Sequence, residues 1–455
     1  MSAFDLIIQW LVLFGVAAVL AMRGQLTPFH PTSFYLLFHT IVFCIRPTLI
    51  YAFDFDNVWD YMLLNPEPEH LQMTLVLSSA GLIIFCVAFA FACPHTTLEP
   101  RKEKFRDLTR DERVGLFLTA LVFVPAGFFS IFKAQVEGER IGGVFIMTGT
   151  SGYLNDLQQV LVPMVVLAII AFRWRWYAFI PLLIYIYFRA GQGHARWTFV
   201  IPIIAIGLFY LWQHRKMFPS WKILLPIPIV AFIFLNLTHD RGYFKHLIQG
   251  EETRAAMLDE DKDFAERFDT LDFANFDYLT YIVTHVPEST GRYTHGVQHL
   301  QMFTEPIPRK LWPGKPVGAP ISYYDLNNYG NFIGLTPSLV GDGWQTGGWI
   351  GMAITMALAG FGLGVLTNWF FINQHDLFRV SIFLIVNALL IQLFRDGSMV
   401  AMAKFLLFTL MPIFVWHWIS AIIAYQRLKY ETARESEDDP NTTPSLSAPN
   451  PQRGG

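Results

Sequence analysis

Basic side chains and a histidine lie close together in one short turn, where they could bind an anion. The segment R-A-G-Q-G-H-A-R-W contains Arg189, His194 and Arg196 together with two glycines. Guanidinium groups bind phosphate through paired hydrogen bonds, and glycine allows the backbone to approach a ligand closely. We interpret this turn as a candidate anion-binding site. In the alternative interpretation the glycines only form the turn, and His194 is a satisfied polar residue.

Three further arginines lie in segments that separate apolar runs, and they could bind the same kind of ligand. They are Arg292, Arg309 and Arg395. A ligand with several negative charges, such as a lipid pyrophosphate, needs several guanidinium groups that converge on it. The alternative is that Arg395 pairs with the adjacent Asp396 and that the others interact with lipid headgroups. Both interpretations stay open at the level of the sequence.

The composition indicates the kind of protein that must position these residues. Of 455 residues, 53% are hydrophobic and 15% are charged, whereas soluble domains contain about 45–50% apolar and about 25% charged residues. A soluble globular enzyme is therefore excluded. The formal net charge of -3 gives no basic excess for nucleic acid, and the three cysteines form no C-x-x-C pair. We expect an all-α, polytopic membrane protein with no nucleic-acid partner.

Long apolar runs predict about eleven transmembrane helices, because a span needs roughly 20 predominantly apolar residues. The predicted spans are Phe4–Met22, Ser33–Phe53, Leu71–Ala92, Val114–Phe132, Leu157–Phe172, Tyr177–Phe188, Thr198–Trp212, Ile223–Leu237, Trp344–Phe371, Val380–Phe394 and Phe405–Tyr425. The sixth and seventh are short and could be broken or re-entrant.

Lysine and arginine in the short loops predict the orientation, because these residues concentrate on the cytoplasmic side. The dense basic cluster at residues 101–113 is cytoplasmic if the N-terminus lies outside and the C-terminus inside. The chain then divides into membrane helices 1–8 (1–237), an extracytoplasmic loop or cap (238–343), C-terminal membrane helices (344–425) and a cytoplasmic tail (426–455). The tail is polar and proline-rich, so we expect it to be disordered.

Two motifs in the second half resemble those of a known family. E-P-I-P-R-K-L-W-P-G-K-P-V-G begins at Glu305, and T-P-S-L-V-G-D-G-W-Q-T-G-G-W-I-G begins at Thr336. They resemble the signature of bacterial oligosaccharide repeat-unit polymerases, the Wzy-type members of the O-antigen polymerase and ligase superfamily, over about residues 185–364. The chain departs from that pattern at Asp342, where the family usually has Glu. The spacing in G-H-A-R also differs, so the choice between Arg189 and Arg196 stays open.

The resemblance implies a helical, GT-C-like membrane fold and a metal-independent glycosyltransferase. Such an enzyme transfers a growing glycan from undecaprenyl pyrophosphate to the non-reducing end of an incoming lipid-linked repeat unit, at the periplasmic face of the bacterial inner membrane. It needs no cofactor. The implied partners are the undecaprenyl-pyrophosphate-linked oligosaccharide, membrane lipids and a chain-length regulator. The alternatives are an O-antigen ligase, which transfers the glycan to lipid A core, and a transporter of lipid-linked glycans.

The resemblance also implies roles for individual residues. Cations must stabilise the departing pyrophosphate, and a base must accept the proton of the attacking hydroxyl. The candidates for pyrophosphate binding are Arg189, His194, Arg196, Arg292, Arg309 and Arg395. Asp342 is the first candidate for the base, with His295 and His299 in reserve, although an Asp before a helix is equally suited to be its N-cap.

Aromatic residues of the long loop could stack on sugar rings. The candidates are Trp312, Tyr323 and Tyr324. They are equally suited to the membrane interface, because Trp and Tyr concentrate at headgroup level.

Overall fold

The computed structural model describes residues 1–95, 97–99, 108–141, 144–147, 152–191, 197–221, 269, 274–304, 307, 311–312, 324, 326–330 and 336–438. The described chain is helical apart from one two-stranded antiparallel hairpin. Its first half contains α1 (Ala3–Met22), α2 (Pro31–His39), α3 (Arg46–Phe53), α4 (Asn57–Met62), α5 (Pro68–Ala92), α6 (Arg110–Glu137), β1 (Gly138–Ile141), β2 (Val144–Met147), α7 (Gly152–Asp156), α8 (Leu161–Ala171), α9 (Ile180–Gly191) and α10 (Trp197–Gln213). The second half contains α11 (Asn275–His285), α12 (Val297–Thr304), α13 (Ser338–Ile372), α14 (Leu377–Asp396) and α15 (Met399–Asp438).

Within the described ranges, seven helical segments are long and apolar enough to cross a membrane. They are Ala3–Met22, Pro31–Phe53, Pro68–Ala92, Arg110–Lys133, Ser338–Ile372, Leu377–Asp396 and Met399–Arg434. Three shorter apolar helices, Leu157–Ala171, Trp176–Arg189 and Val200–Gln213, occupy the positions of predicted spans five to seven. The eighth predicted span lies outside the described residues. A helical, polytopic membrane protein is confirmed, whereas eleven spans and the orientation stay predictions.

The second span is not a uniform α-helix. A π-helical turn, Thr40–Ile45, joins α2 to α3 and widens the backbone in the middle of the predicted second span. Arg46 follows directly and is almost fully buried. Its Nε and Nη2 donate to the carboxylate of Asp277 in α11 at 2.9 and 2.8 Å, and Nη2 also donates to Asp269 at 2.8 Å. This ion-pair cluster fastens α11 to the N-terminal helices.

Helices α5 and α13 pack backbone to backbone through glycines. A Cβ added at Gly360 would lie 2.3 Å from the backbone oxygen of Phe85, and one at Gly364 would lie 2.8 Å from that of Phe89. Such contacts leave no room for a side chain. Small residues at a helix–helix interface permit this close approach in membranes, so the glycines fix where α13 lies against α5.

Helix α13 is broken near its start into a first arm (residues 338–346) and a second arm (residues 349–372). Gly347 has φ -179° and ψ 39°, and Gly348 has φ 60° and ψ -137°. The positive φ of Gly348 favours glycine, and a Cβ there would also lie 2.8 Å from the hydroxyl of Tyr293. The arms pack together, because a Cβ at Gly343 would lie 2.7 Å from the Cα of Met352.

The last helix continues beyond the predicted membrane segment. α15 extends to Asp438, so residues 426–438 are helical where the sequence predicts a disordered tail. Arg427 stabilises this extension, because it pairs with Asp111 at 3.1 Å and with Glu431 one turn later at 3.7 Å. Residues 439–455 lie outside the described residues.

Candidate functional site

Asp342 lies inside the first arm of α13 and is not its N-cap. The helix begins at Ser338 after Pro337, so the capping alternative is wrong for this residue. Asp342 is 3% exposed. Its Oδ1 accepts a long hydrogen bond of 3.4 Å from Gln298, and its Oδ2 has no hydrogen-bond partner within the described part of the chain. A buried carboxylate with so few donors is costly for the folded protein, which indicates that the group serves another purpose.

Helix α12 brings His299 to this carboxylate. The Nε2 of His299 lies 3.7 Å from the Oδ2 of Asp342, which is within ion-pair range and too long for a hydrogen bond. Its Nδ1 is also without a partner among the residues described. Burial lowers the pKa of His299 below its ordinary value of 6.5, so the imidazole is neutral at neutral pH. A neutral imidazole can accept a proton.

Gln298 adds a second oxygen without a donor. Its Nε2 donates to the hydroxyl oxygen of Thr346 at 2.9 Å, while that hydroxyl donates to the backbone oxygen of Asp342. Its Oε1 has no partner in the described ranges, and neither has any polar side-chain atom of the fully buried Gln345. An unpaired buried polar group costs about 1–3 kcal/mol, and such groups are rare. Their clustering on and beside the first arm indicates a binding site for a polar ligand.

The loop before α12 is fastened to the end of the first arm. The backbone amide of Thr294 donates to the carbonyl of Gln345 at 2.9 Å, and that of His295 donates to the carbonyl of Thr346 at 3.0 Å. The hydroxyl of Tyr324 also donates to the carbonyl of Gln345, at 3.0 Å. These donors satisfy carbonyls that the break at Gly347–Gly348 leaves without helical partners. The break therefore provides the attachment that places α12 beside Asp342.

The structure brings together three of the candidate residues at the bend of α13: Asp342, His299 and His295. The side chain of His295 is exposed, and its backbone amide makes the contact to the arm. Tyr324 is also at the bend, but its ring is buried against the protein. Trp312 is partly exposed, and Tyr323 lies outside the described residues.

The candidate cations lie on different elements. Arg189 is buried in α9 and donates to the side-chain oxygen of Gln158. Arg395, at the end of α14, pairs with Asp396 at 3.4 Å, as the alternative interpretation expects. Arg292 is exposed in the loop before α12. His194, Arg196 and Arg309 lie outside the described residues, so the convergence of these cations stays a prediction.

Sequence reasoning missed a further charged pair near α12. Lys404 of α15 lies 2.9 Å from Asp156, and the hydroxyl of Tyr153 donates to the backbone oxygen of Met302 at 3.2 Å. The ring of Tyr153 is 5.9 Å from the Lys404 ammonium. α12 thus contacts Asp342 through Gln298, and through Met302 it contacts Tyr153, whose ring lies beside Lys404. The position of Lys404 in the short segment before the last span was the signal available in the sequence.

A cavity of about 470 Å³ lies at the other end of α14 and does not contain these residues. It is lined by Trp416, His417 and the ion pair of Asp111 with Arg427, among others. Asp342 lies near the C-terminal end of α14, where a Cβ at Gly397 would touch the backbone of Ser338. The candidate site is therefore defined by its unpaired polar atoms, and this cavity lies apart from it.

Within the described residues, no group of three or more His, Cys, Asp and Glu side chains could hold a metal ion. Comparison with protein-family models, with curated proteins and with solved structures found no match. A carboxylate with a vacant oxygen beside a neutral imidazole can accept a proton from a hydroxyl group.

Proposed function

We propose that the chain polymerises lipid-linked oligosaccharide repeat units. It transfers the growing glycan from undecaprenyl pyrophosphate to a hydroxyl at the non-reducing end of an incoming lipid-linked unit, at the outer face of the bacterial inner membrane. The observation that supports this proposal is the buried Asp342 carboxylate, whose Oδ2 lies 3.7 Å from His299. Transfer of a glycan to a hydroxyl group is assisted by a positioned base that accepts the hydroxyl proton.

In the proposed reaction, Oδ2 of ionised Asp342 accepts the proton of the acceptor hydroxyl. The hydroxyl oxygen attacks the anomeric carbon of the donor glycan, and a new glycosidic bond forms. The bond between that carbon and the pyrophosphate breaks, and its electron pair leaves with the pyrophosphate. The proton then passes from Asp342 through His299 to solvent. The donor supplies the leaving group, so the reaction needs no nucleotide sugar.

Cations assist the departure of the pyrophosphate, because its negative charge increases as the bond breaks. We assign this role to Arg189, Arg292 and Arg395, and to three residues outside the described ranges: His194, Arg196 and Arg309. Trp312, Tyr323 and Tyr324 remain candidates for contacts to the sugars. A chain-length regulator is the proposed protein partner.

The test is incubation of the purified protein with a lipid-pyrophosphate-linked repeat unit, with the products resolved by length. We expect a ladder for the natural sequence. Asp342→Asn keeps the shape of the side chain and removes the base, so we expect the rate to fall about 10²- to 10⁴-fold. Asp376→Asn is the matched control, because Asp376 is an exposed N-cap of α14 and Asn also caps helices.

The products decide between this proposal and its alternatives. A folded Asp342→Asn protein that forms the ladder at the natural rate would contradict the assignment of the base. A single transfer to lipid A core would indicate a ligase. Movement of the lipid-linked unit across the membrane without transfer would indicate a transporter.

A further inference from the structure

The amide of Gln298 has only one orientation that satisfies its neighbours. The hydroxyl of Thr346 already donates its hydrogen to the backbone oxygen of Asp342 at 2.9 Å, so it can only accept from Gln298. The Nε2 of Gln298 therefore faces Thr346 and the Oδ1 of Asp342, at 2.9 and 3.4 Å. Its Oε1 must point the other way, and it is buried without a donor from the described residues.

Two acceptor oxygens without donors thus belong to side chains that touch each other. They are Oδ2 of Asp342 and Oε1 of Gln298, and these residues are 3% and 5% exposed. A protein donor is not required at either atom if a ligand supplies one, because the cost of an unpaired oxygen is then recovered on binding. A single ligand that pairs with both oxygens must carry at least two hydrogen-bond donors.

We propose that Gln298 determines acceptor specificity by binding the donor group next to the attacking hydroxyl. In the proposed reaction Oδ2 of Asp342 accepts the proton of the attacking hydroxyl. Oε1 of Gln298 accepts a hydrogen bond from the donor group next to that hydroxyl on the same sugar ring. The neighbour is a second hydroxyl or the N–H of an acetamido group. A sugar with hydrogen in place of that group leaves Oε1 buried and unpaired, and the site rejects it.

This inference rests on the proposed function for the identity of the ligand, but its test measures binding without turnover. The probes are the methyl glycosides of glucose, galactose and N-acetylglucosamine, each with its monodeoxy forms. Binding to the purified full-length protein is measured by saturation-transfer NMR. For the natural sequence we expect the removal of one neighbouring donor to weaken binding roughly 10- to 100-fold.

Gln298→Met keeps the approximate length of the side chain and removes its acceptor oxygen. We expect it to bind the parent glycoside and the sensitive deoxy form with nearly equal affinity. A purely structural role of Gln298 would change the binding of all probes alike. The ratio of the affinity for the parent glycoside to that for the deoxy form would then stay unchanged. Thr346→Val removes the contact that orients the amide, so the ratio should fall, whereas Thr346→Ser should preserve it.

Gln72→Met is the matched control, because Gln72 is an exposed glutamine whose amide contacts Asp5. Its ratio should equal that of the natural sequence. The proposal is overturned if no glycoside binds, or if Gln298→Met discriminates between parent and deoxy forms as the natural protein does. Discrimination without a product ladder would reject the polymerase function alone, and a ladder without loss of discrimination in Gln298→Met would reject the role of Gln298 alone.

Discussion

Replacing Arg46 by methionine tests the ion-pair cluster that fastens α11 to the second span. Arg46 makes two hydrogen bonds to Asp277 and one to Asp269, all between 2.8 and 2.9 Å. All three side chains are at most 1% exposed. Methionine fills similar volume but leaves two buried carboxylates without this cation. Because breaking a buried pair costs about 3–5 kcal/mol, we expect a loss of that size.

The loss should be visible in the thermal unfolding of the purified protein in one detergent. A chain of this length shifts by about 2 °C or less per kcal/mol, so the midpoint should fall by on the order of 5 °C. Arg46→Lys keeps the charge and loses the paired geometry, so its unfolding midpoint should lie between those of the natural protein and Arg46→Met. The proteins are compared at one concentration and one pH.

A triple variant separates the two causes of such a loss. Arg46→Met combined with Asp269→Asn and Asp277→Leu removes the cation and both negative charges. Replacing a whole buried ion cluster by neutral groups is often neutral or stabilising, so most of the midpoint should be recovered. An Arg46→Met protein that unfolds at the natural temperature, or a triple variant no better than the single one, would refute the reasoning.

Two further predictions concern packing and pH. Gly360→Ala should lower the free energy of unfolding by about 1–3 kcal/mol, because its Cβ would lie 2.3 Å from a backbone oxygen of α5. Gly362→Ala is the control and should leave the unfolding midpoint unchanged, because a Cβ there meets no atom within 4 Å. Equal midpoints for the two variants would contradict this prediction. Burial, and then the charge of His70, lower the pKa of His285, against the opposing effect of Glu288. Between this lowered pKa and pH 6.5 the unfolded chain therefore binds more protons at His285 than the folded chain does. The free energy of unfolding is highest above pH 6.5 and decreases as the pH falls through the lowered pKa. His285→Gln should flatten this dependence between pH 7 and 5, and identical slopes would count against it.

The long helices could be predicted from sequence because each depends on a local property, a continuous apolar run. The run predicted at Leu71–Ala92 is observed as Pro68–Ala92, and that predicted at Val380–Phe394 lies inside Leu377–Asp396. The ends differ by a few residues because caps extend a helix beyond its apolar part. Asp376, for example, is polar, yet its side chain accepts from the amide of Phe378 and starts α14.

The broken and shortened helices were harder to predict, because their causes are tertiary. The apolar run Trp344–Phe371 contains the bend at Gly347–Gly348, and hydropathy does not distinguish a bend from a packed glycine pair. Gly360 and Gly364 are likewise glycines in the same helix, but they serve contact with α5. Only the atoms next to each glycine in the folded protein show whether that glycine forms a bend or a contact between helices.

The candidate site was predictable only in part. Asp342 was identifiable as a carboxylate among glycines, and His299 as one of two histidines in a polar stretch. Gln298 carried no such signal, because glutamine has no charge, belongs to no motif here and gains its role from contacts to Thr346 and Asp342 across more than forty residues. Its neighbour in sequence, His299, was the only pointer to it.

The bend in α13 explains why a polar site exists at the start of an apolar helix. Irregular backbone at membrane depth is tolerated where it is buried in protein or lines a polar cavity. Here the carbonyls released by the bend accept from Thr294, His295 and Tyr324, so the loop before α12 covers them. The same attachment sets α12 against the first arm and places Gln298 and His299 on Asp342. A straight helix would keep those carbonyls in its own hydrogen bonds and would give the loop no partner, so the bend and the polar site depend on each other.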